Sequence, residues 1–401
     1  MLSSETITTI QATIPLLETV KTGLTKHFYK RLFHHHPELQ DVFNMSHQRT
    51  GGQPAALFDA VLAYARNIEN LEALLPAVER IAHKHTSFLV KPEQYDVVGH
   101  HLIETIRELA GEAATPEVLQ AWSEAYQLLA QVFIGRENTL YEQQAQSHGG
   151  WEGTRSFVVS RKEKESALIT SFYLEAEDGQ PILGYKPGQY LGIQVKPVGS
   201  KYQEIRQYSL SDASNGQYYR ISVKRENGDE KGVVSNHLHD HVQVGDKLGV
   251  MPPAGDFYLE TQSQSPVVLL SGGVGFTPLM AMLNTLIQEQ HQGPILWLHG
   301  CENSEHHALA EDIQQKATQH ENLKSYTWYN QPTDADVDAS SHTGEGVMNL
   351  EQVREDIDLP HTHFYFCGPL PFMQFVNDTL KGWRVEEHRI HYEVFGPHSS
   401  L

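Results

Sequence analysis

Cysteine is almost absent from this chain of 401 residues, which has only Cys301 and Cys367. Two cysteines are too few for a dense disulfide framework or for a metal site built from several thiolates, and this fits a reducing compartment. The sequence also lacks a basic, apolar N-terminal leader, and no stretch reaches the length of a transmembrane span. We therefore expect a cytoplasmic protein with no stable membrane insertion.

Positively charged residues are also few. The chain has 30 Lys and Arg residues against 50 Asp and Glu residues, which gives a net charge of -20. This excess of negative charge opposes binding to phosphate backbones and to anionic membranes, so we expect no nucleic-acid partner. The length exceeds the usual size of one hydrophobic core and predicts two or three domains.

No strand-like alternation is evident before Trp151, and this part of the chain is rich in Ala, Leu, Glu and Gln. We predict an all-α domain over residues 1–147, for which several folds, including a bundle, remain open. Prolines near the expected starts favour helices over residues 55–68, 71–89, 92–109 and 116–141.

One histidine of this domain lies in an apolar stripe. In a helix, Ile81, His85 and Leu89 fall on one face. Such a histidine is more often a core residue bonded to a carbonyl than a metal or haem ligand, so the local pattern leaves both interpretations open. The run His34-His35-His36 points in three directions around a helix and favours a solvated face over a metal site.

The pattern changes after the flexible break at residues 147–150. Beyond it, apolar residues alternate with period two between Pro-Gly, Asn-Gly and Asp-Gly turns, which predicts a small antiparallel β-barrel over residues 151–262. Its segment Arg206-Gln207-Tyr208-Ser209 offers an arginine fork, a flat ring and a hydroxyl, which suit a pyrophosphate and a flavin ring. Residues 232–236 lead into a helix expected at His237 and add N–H groups for the same phosphates.

The last part of the chain predicts an α/β domain with a parallel sheet over residues 265–401. Continuous apolar runs typical of buried parallel strands occupy residues 266–270, 295–299 and 364–367. The first run leads into the glycine turn at residues 271–276, with Thr277 as the expected N-cap and Pro278 at the first helical position. A strand, a glycine turn and a helix start make a phosphate cradle, although the spacing differs from the Rossmann fingerprint.

Together these motifs resemble those of the flavohaemoglobins over essentially the whole chain. PGQY, RQYS and a glycine-rich helix start, in that order, are similar to the flavin barrel of the ferredoxin reductase superfamily. GVGFTP and CGPLPFM are similar to the nicotinamide dinucleotide domain of the same reductases. The resemblance implies a multidomain protein: an all-α globin domain, an FAD-binding barrel and an NAD(P)H-binding α/β domain, with haem b, FAD and NAD(P)H as cofactors.

The globin resemblance implies roles for individual residues of the first domain. His85 looks like the proximal ligand of the haem iron. The catalytic residues implied are Tyr29 and Gln53 on the distal side and Tyr95 and Glu137 on the proximal side. The other haem contacts implied are Phe43, Leu57 and Lys84. A carboxylate such as Glu137 would accept the second N–H of the ligand histidine and make the imidazole more electron-donating.

The reductase resemblance implies three further groups of cofactor contacts. The flavin group is Tyr190, Arg206, Gln207, Tyr208, Ser209 and Ser235. The dinucleotide group is Ser271, Gly272, Gly273, Val274, Gly275, Phe276, Thr277, Cys367 and Gly368. The C-terminal group is Val394, Phe395, Gly396 and Pro397, and family members often have cysteine where Val394 stands. Without the resemblance, the alternatives are a surface ion pair for Arg206, packing for Tyr190, Tyr208 and Cys367, and an apolar anchor for Phe395.

The resemblance implies a nitric oxide dioxygenase that converts nitric oxide and oxygen to nitrate with electrons from NAD(P)H. Hydride chemistry moves two electrons, so a haem supplied by it needs an intermediary that delivers one at a time, and flavin fills that role. One alternative is a haem oxygen carrier or sensor with its own reductase. Another is an NAD(P)H diaphorase with a different acceptor. We expect oxygen and nitric oxide as small-molecule partners and a monomeric chain.

Overall fold

The computed structural model describes residues 2–228, 231–260, 264–339, 342–357 and 360–396. The chain divides into two compact units. The first consists of the residues up to Gly153 together with Gln194–Arg206 and a short C-terminal piece that includes Gly396; the second contains Thr154–Ile193 and Gln207–Phe395. No helix within these described ranges is long and apolar enough to cross a membrane.

Helices build the N-terminal part of the first unit, as the sequence predicts. In chain order they are α1 (Ser4–Ala12), α2 (Ile14–Val20), α3 (Thr22–His35), α4 (Met45–Arg49), α5 (Gly52–Arg66), α6 (Leu75–Thr86), α7 (Pro92–Ala110) and α8 (Pro116–Gln146). Ser3, Asn44 and Thr115 each accept hydrogen bonds from first-turn N–H groups of α1, α4 and α8. These caps satisfy N–H groups that have no partner inside the helix.

The helix predicted over residues 71–89 is shorter in the structure. A 3-10 turn occupies Leu71–Leu74, and α6 follows. Pro76 marks the start of α6 because proline is tolerated in the first turn of a helix. The helix ends at Thr86, and Leu89 has a φ of 57°, which an α-helix cannot contain.

A close approach of α7 and α8 fixes the packing of the helical part. A Cβ atom on Gly99 would lie 2.4 Å from the ring of Tyr126, whose hydroxyl donates to the carbonyl of Tyr95 at 2.6 Å. The absence of a side chain at Gly99 therefore lets the tyrosine of α8 reach the backbone of α7. On the neighbouring side, Thr25 donates to the carbonyl of Pro54 at 2.6 Å and links α3 to α5.

Strands of the second part form a six-stranded antiparallel sheet in the order β4-β3-β6-β1-β2-β5. The strands are β1 (Arg155–Lys164), β2 (Ile169–Ala176), β3 (Tyr190–Val195), β4 (Glu204–Ser209), β5 (Tyr219–Lys224) and β6 (Lys247–Val250). A bridge between Leu210 and Ile221 joins the two outermost strands. The sheet therefore closes into the predicted barrel, with Phe157, Leu191 and Ile221 fully buried.

The helix expected at His237 begins four residues earlier. Helix α9 (Val233–His241) starts directly after Gly232. The side-chain amide of Asn236 donates to the carbonyls of Glu226 and Gly232, each at 2.8 Å, and so holds the start of the helix against the preceding loop. Such contacts between neighbouring segments leave no local pattern in the sequence.

The last part is a parallel sheet in the order β10-β9-β8-β7-β11-β12. Its elements are β7 (Val267–Gly272), α10 (Phe276–Gln288), β8 (Ile295–Cys301), α11 (Ala310–Gln319), β9 (Leu323–Tyr329), α12 (Asp334–Ala339), β10 (Gly344–Glu345), α13 (Arg354–Ile357), β11 (His363–Cys367), α14 (Leu370–Gly382) and β12 (Ile390–Glu393). The chain starts in the middle of the sheet at β7, extends to β10 on one side and returns to β11 on the other. The carboxyl ends of β7 and β11 therefore meet at a topological switch point, where α/β sheets bind ligands.

The expected N-cap at Thr277 is wrong. Residues Gly273–Gly275 wind into a 3-10 turn that continues into α10, so Gly275 precedes the helix and Thr277 lies inside its first turn. The hydroxyl of Thr277 donates to the carbonyl of Val274 at 3.1 Å instead of accepting from an N–H group. Pro278 is the third residue of α10 and not the first, as predicted, but it still lies in the first turn, where a missing N–H has no cost.

Substitution of Gly99 by alanine should destabilise the helical part. The added methyl group would overlap the ring of Tyr126, and overpacking of this kind lowers the free energy of unfolding by about 1–3 kcal/mol. Native-state hydrogen exchange of the α7 and α8 amides measures the change. Gly135→Ala is the matched control, since nothing lies within 4 Å of its Cβ position; it should stabilise α8 by roughly 0.5–1 kcal/mol. Equal protection in Gly99→Ala and the unsubstituted protein would contradict the close-packing argument.

Candidate cofactor sites

His85 is held by two side chains from other helices. Its Nδ1 atom lies 2.7 Å from Glu137 Oε1 and 2.8 Å from the Tyr95 hydroxyl, and that hydroxyl donates to the same carboxylate oxygen at 2.5 Å. A carboxylate oxygen accepts, so Nδ1 of His85 carries the hydrogen and Nε2 keeps its lone pair. A histidine oriented in this way fits axial ligation of haem iron.

Burial strengthens this arrangement. Glu137 is 2% exposed, and Tyr95 is also buried. Burial, followed by the negative charge of Glu137, raises the pKa of Tyr95 well above its usual range, so its hydroxyl remains a donor. The ring of Phe133 lies 5.7 Å from that of His85 and excludes water from one side of it. The carboxylate thus has two donors in an apolar setting, which favours a fixed geometry.

Tyr29 occupies a separate apolar pocket between α3 and the start of α5. Its ring centroid lies 5.9 Å from that of Phe33 and 5.8 Å from that of Phe43. Burial raises the pKa of Tyr29 well above its usual range, although the nearby amides of Gln48 and Gln53 act in the opposite direction. The phenol is therefore a neutral donor at physiological pH.

Two buried amide atoms near Tyr29 make no hydrogen bond of normal geometry with the described residues. They are Gln48 Nε2 and Gln53 Oε1. Leu57 and Phe43 pack against the same core as Tyr29. Buried polar atoms without a partner beside an otherwise apolar core fit a small ligand that takes part in hydrogen bonds. Gln48 belongs to no motif and was not among the predicted residues. It lies in the short helix α4, whereas Gln53 lies in α5, so no helical spacing connects the two.

A positively charged group lies elsewhere in the first unit. Burial, followed by the charges of Lys84 and Arg206, lowers the pKa of His47 to about 4. Lys84 Nζ donates to the carbonyl of Gly396 at 2.8 Å, and Arg206 Nη1 donates to the carbonyl of Ile205 at 2.8 Å. Arg206 also lies 2.9 Å from Glu204 Oε2 in a largely buried ion pair, and not in the surface ion pair considered as its alternative. A fixed guanidinium still fits an anionic group such as pyrophosphate.

Strand β4 and the loop around Tyr190 present the other predicted flavin contacts. Gln207, Tyr208 and Ser209 follow Arg206 along β4, and Ser209 is buried. Gly255 has a φ of 123°, and a Cβ there would lie 3.0 Å from the Tyr190 ring, so the chain passes closely over the ring. At the start of α9, a Cβ on Gly232 would lie 2.3 Å from Ser235 Oγ, which leaves backbone rather than side chain at that N-terminus.

At the switch point, glycines let the chain come close to itself. A Cβ on Gly275 would lie 2.1 Å from the carbonyl oxygen of Cys367, and one on Gly368 would lie 3.0 Å from the N atom of Gly272. Gly273 has a φ of 52°. The turn from residue 271 to 277, including Val274 and Phe276, therefore runs directly beside Cys367 and leads into α10, and a helix start of this kind favours phosphate binding.

Neutral groups surround this turn. Ser271 Oγ lies 2.7 Å from Nδ1 of the buried His299, and burial lowers the pKa of His299 well below its usual range. Burial, followed by the charge of Glu393, raises the pKa of the Cys367 thiol, so the group stays protonated and is not a nucleophile. No lysine or arginine occurs between Lys247 and Lys316.

The C-terminal group is described only in part. Val394 packs against the core of the parallel sheet, whereas the ring of Phe395 is 44% exposed. Gly396 has a φ of 131° and accepts the hydrogen bond from Lys84. Pro397 lies outside the described residues. An exposed ring at Phe395 fits a flat cofactor surface better than an apolar anchor does.

His34 and His35 are exposed at the end of α3, as the sequence predicts. Throughout the described ranges, no three His, Cys, Asp or Glu side chains are arranged to hold a bare metal ion. A metal bound through the remaining nitrogen of His85 would take its other ligands from outside these side chains, as a haem iron does from its macrocycle.

Family models match three successive parts of the chain. They are the globin over residues 26–133, the oxidoreductase FAD-binding domain over residues 156–258 and the oxidoreductase NAD-binding domain over residues 269–378. The flavohemoprotein of Vibrio cholerae serotype O1 is 50% identical over 403 residues, covering 100% of both chains. That of Halalkalibacterium halodurans is 48% identical over 403 residues, covering 100% of this chain and 98% of the relative.

Solved structures agree with these matches. The flavohemoglobin of Malassezia yamatoensis, with bound FAD and heme, has a TM-score of 0.87 at 27% identity and covers 98% of this chain and 100% of its own. The FAD/NAD-binding domain of the nitric oxide dioxygenase of Vibrio cholerae O1 biovar El Tor has a TM-score of 0.55 at 45% identity; it covers 61% of this chain and 99% of its own.

Removal of the Arg206 side chain should release flavin while haem is retained. A neutral alanine cannot replace a guanidinium fork matched to pyrophosphate, and the loss of charged hydrogen bonds corresponds to roughly ten- to a hundredfold weaker binding. Flavin and haem absorbance of purified Arg206→Ala gives both contents. Arg161→Ala, at an exposed position of β1, is the control and should keep both cofactors. Stoichiometric flavin in Arg206→Ala would remove Arg206 from the site.

Proposed function

Because the chain belongs to the flavohaemoglobin family, we propose that it is a nitric oxide dioxygenase that converts nitric oxide and oxygen to nitrate at the expense of NAD(P)H. The observation that carries the proposal is the Glu137–His85–Tyr95 group, in which Glu137 and Tyr95 are buried, in one chain with an FAD-binding barrel and an NAD-binding domain. A carrier needs a ligand histidine, but an electron-donating imidazole backed by a buried carboxylate suits a haem that is repeatedly reduced and turned over.

Each domain supplies one part of the chemistry. When bound, haem supplies a reducible iron that binds diatomic gases, FAD accepts a hydride and releases single electrons, and NAD(P)H supplies the hydride. We propose domain boundaries at residues 1–147, 151–262 and 265–401. We also propose that the protein acts in the cytoplasm as a monomer, with oxygen and nitric oxide as its substrates.

Tyr29 and Gln53 act on the small-molecule substrates. The buried phenol donates a hydrogen bond to negative charge that develops on oxygen, in a pocket where water does not compete. Gln53 supports this contact with a neutral amide. On the proximal side, Glu137 accepts the Nδ1 hydrogen of His85, and Tyr95 holds that carboxylate in place.

The residues of the reductase part bind and orient the flavin and the dinucleotide. Arg206 holds the flavin pyrophosphate, Tyr190 and Tyr208 offer rings to its flat surface, and Ser209 and Ser235 offer hydroxyls. The N–H groups between Ser271 and Thr277 hold the dinucleotide phosphates, and Cys367 with Gly368 forms a neutral wall beside them. The protonated thiol of Cys367 keeps that wall uncharged.

The carboxyl edge of the parallel sheet supports NADH as the preferred donor. The 2′-phosphate of NADPH needs a cation, and the segments that follow β8 and β9 contain no lysine or arginine. Glu302 follows β8, and burial lowers the pKa of the nearby His307 to about 4, so this histidine is neutral. A dianionic phosphate would meet a neutral or negative surface there.

We expect kcat/KM to be at least about tenfold higher for NADH than for NADPH, because an unpaired phosphate costs about 1–3 kcal/mol. Steady-state reduction of ferricyanide by each dinucleotide gives kcat/KM for both donors. Glu302→Lys should narrow the ratio by improving NADPH. Glu289→Lys makes the same charge change at the far end of α10 and should leave the ratio unchanged. A ratio near one in the unsubstituted protein would refute the preference.

Tyr29→Phe distinguishes the enzyme from its alternatives. Loss of a donor in a dry pocket costs about 1.5–3 kcal/mol, so oxygen should dissociate roughly ten- to a hundredfold faster. Nitrate formation at limiting oxygen should fall in step, while reduction of flavin by NADH is unchanged. Tyr64→Phe removes a phenol that bonds the backbone of Ala125 and should leave oxygen release unaltered.

Three outcomes are decisive. Nitrate formation no faster than that of free haem would favour the oxygen carrier or the diaphorase. Flavin reduction without reduction of haem would favour the diaphorase. Equal oxygen release and turnover in Tyr29→Phe and the unsubstituted protein would remove Tyr29 from the site.

A further inference from the structure

A single carboxylate joins the flavin barrel to the helix that follows the glycine turn. Asp212 lies in the loop between β4 and β5, and its Oδ1 accepts from the side-chain amide of Asn284, in α10, at 2.8 Å. The backbone N–H of Ala213 donates to the same oxygen at 2.9 Å. The other carboxylate oxygen accepts from the hydroxyl of Tyr218 at 3.0 Å and lies 3.7 Å from Nη1 of Arg220.

The barrel side of this contact is rigid. Arg220 is buried, donates through Nε to Ser211 Oγ at 3.1 Å and also bonds the carbonyl of Ser211. Ser222 Oγ lies 2.8 Å from the hydroxyls of both Ser211 and Ser171, which extends the network into β2. Asp212 is therefore anchored to the barrel by a network of buried hydrogen bonds, which fixes its position.

Among the described residues, the side chains of α10 make no other hydrogen bond to the barrel than the one from Asn284. Asn284 Oδ1 is buried and makes no hydrogen bond with the described residues, so the amide is held through its donor to Asp212. The neighbouring contact is apolar: a Cβ on Gly188 would lie 2.7 Å from Met282 Cε, and Met282 packs in one core with Ile169 and Phe257. Apolar burial is non-directional and tolerates sliding, whereas a hydrogen bond to a charge fixes orientation.

Helix α10 transmits this orientation to the dinucleotide site. The glycine turn at residues 273–275 runs straight into Phe276, the first residue of α10, and Asn284 lies eight residues further along. At a rise of 1.5 Å per residue, this is about 12 Å of rigid helix. A tilt at Asn284 therefore moves the turn that binds the phosphates.

We propose that Asp212 and Asn284 are positioning residues for hydride transfer, because their hydrogen bond sets the phosphate-binding turn relative to the flavin barrel. The inference rests on the proposed function to the extent that NADH reduces FAD in this chain. In that step the C4–H bond of the dihydronicotinamide breaks with both electrons, and the hydride bonds to N5 of the flavin, leaving NAD⁺ and reduced flavin. Transfer needs the reacting atoms about 3–3.5 Å apart, and a 1 Å displacement costs on the order of a hundredfold in rate.

The test is anaerobic stopped-flow reduction of flavin by NADH in the full-length protein, which yields the limiting rate and the Kd of NADH separately. Asn284→Asp places two carboxylates against each other and should lower the limiting rate about ten- to a hundredfold. Asn284→Ala removes the donor without repulsion and should lower it by about tenfold. In both variants we expect a Kd within about threefold of the unsubstituted value, full flavin and haem content, and a weaker charge-transfer absorbance between nicotinamide and flavin.

Exchange of the two groups separates a direct contact from general damage. The double variant Asp212→Asn with Asn284→Asp recreates a hydrogen bond between amide and carboxylate. Its limiting rate should therefore lie within about threefold of the rate of the unsubstituted protein. Gln288→Glu makes the same chemical change one turn further along α10, at an exposed position, and should have no effect. Additive effects of the two substitutions, or an unaltered limiting rate in Asn284→Ala, would overturn the proposal.

Failure of the proposed function gives a different result. Flavin reduction is measured without oxygen or nitric oxide, so an absence of nitrate formation leaves this test intact. Unsubstituted protein whose flavin NADH does not reduce would refute the hydride step of the proposed function itself.

Discussion

A carboxylate buried in a protein interior has to be surrounded by donors, and Glu137 shows what this requirement does to a fold. The group is on α8, and its donors come from α6 and α7, so three helices converge on one oxygen atom. An ionised carboxylate left without these donors would cost several kcal/mol. The arrangement that satisfies it also fixes which nitrogen of His85 carries hydrogen, and a structural necessity thereby sets the chemistry of the ligand.

The same constraint recurs in the reductase part of the chain. Asp212 is half-buried among an amide, a phenol and a guanidinium, and it links the barrel to α10. Ser271 and His299 satisfy each other beside the glycine turn. In each case a polar group inside the protein is partnered across elements that are distant in sequence, so removal of one partner affects both packing and function. The residues proposed to act in function are therefore also residues that hold the fold together, which would not be so for a site on the surface.

Regular elements were predictable because they depend on local patterns. The alternation of apolar residues gave the barrel strands, and the continuous runs at 266–270 and 364–367 gave the buried strands β7 and β11. Boundaries were less predictable, since Leu89 adopts a positive φ and the turn at Gly273–Gly275 winds into α10 through contacts that propensity does not encode. Gly275 was placed correctly in the turn, but the reason for a glycine there, that a Cβ atom would lie 2.1 Å from the carbonyl oxygen of Cys367, required the fold.

Site residues divide in the same way. Motif residues such as Arg206 and Gly272 were accessible from short patterns, whereas Tyr95 and Glu137 rested on the family resemblance, because 42 residues separate the two partners of one hydrogen bond. Gln48, Asp212 and Asn284 had no signal at all. Asp212 and Asn284 meet through a contact between elements that no periodicity connects, and Gln48 approaches Tyr29 from a different helix, so a single sequence does not record these pairs.

The edge strands of the two sheets bear on how this protein behaves at high concentration. Among the described residues, a bridge between Leu210 and Ile221 joins the two ends of the barrel sheet, and the two outermost strands of the parallel sheet, β10 and β12, are only two and four residues long. Exposed strand edges are templates for pairing with another molecule, and short or closed edges remove the template. With a net charge of -20 adding mutual repulsion between copies, the folded protein should resist aggregation at high protein concentration.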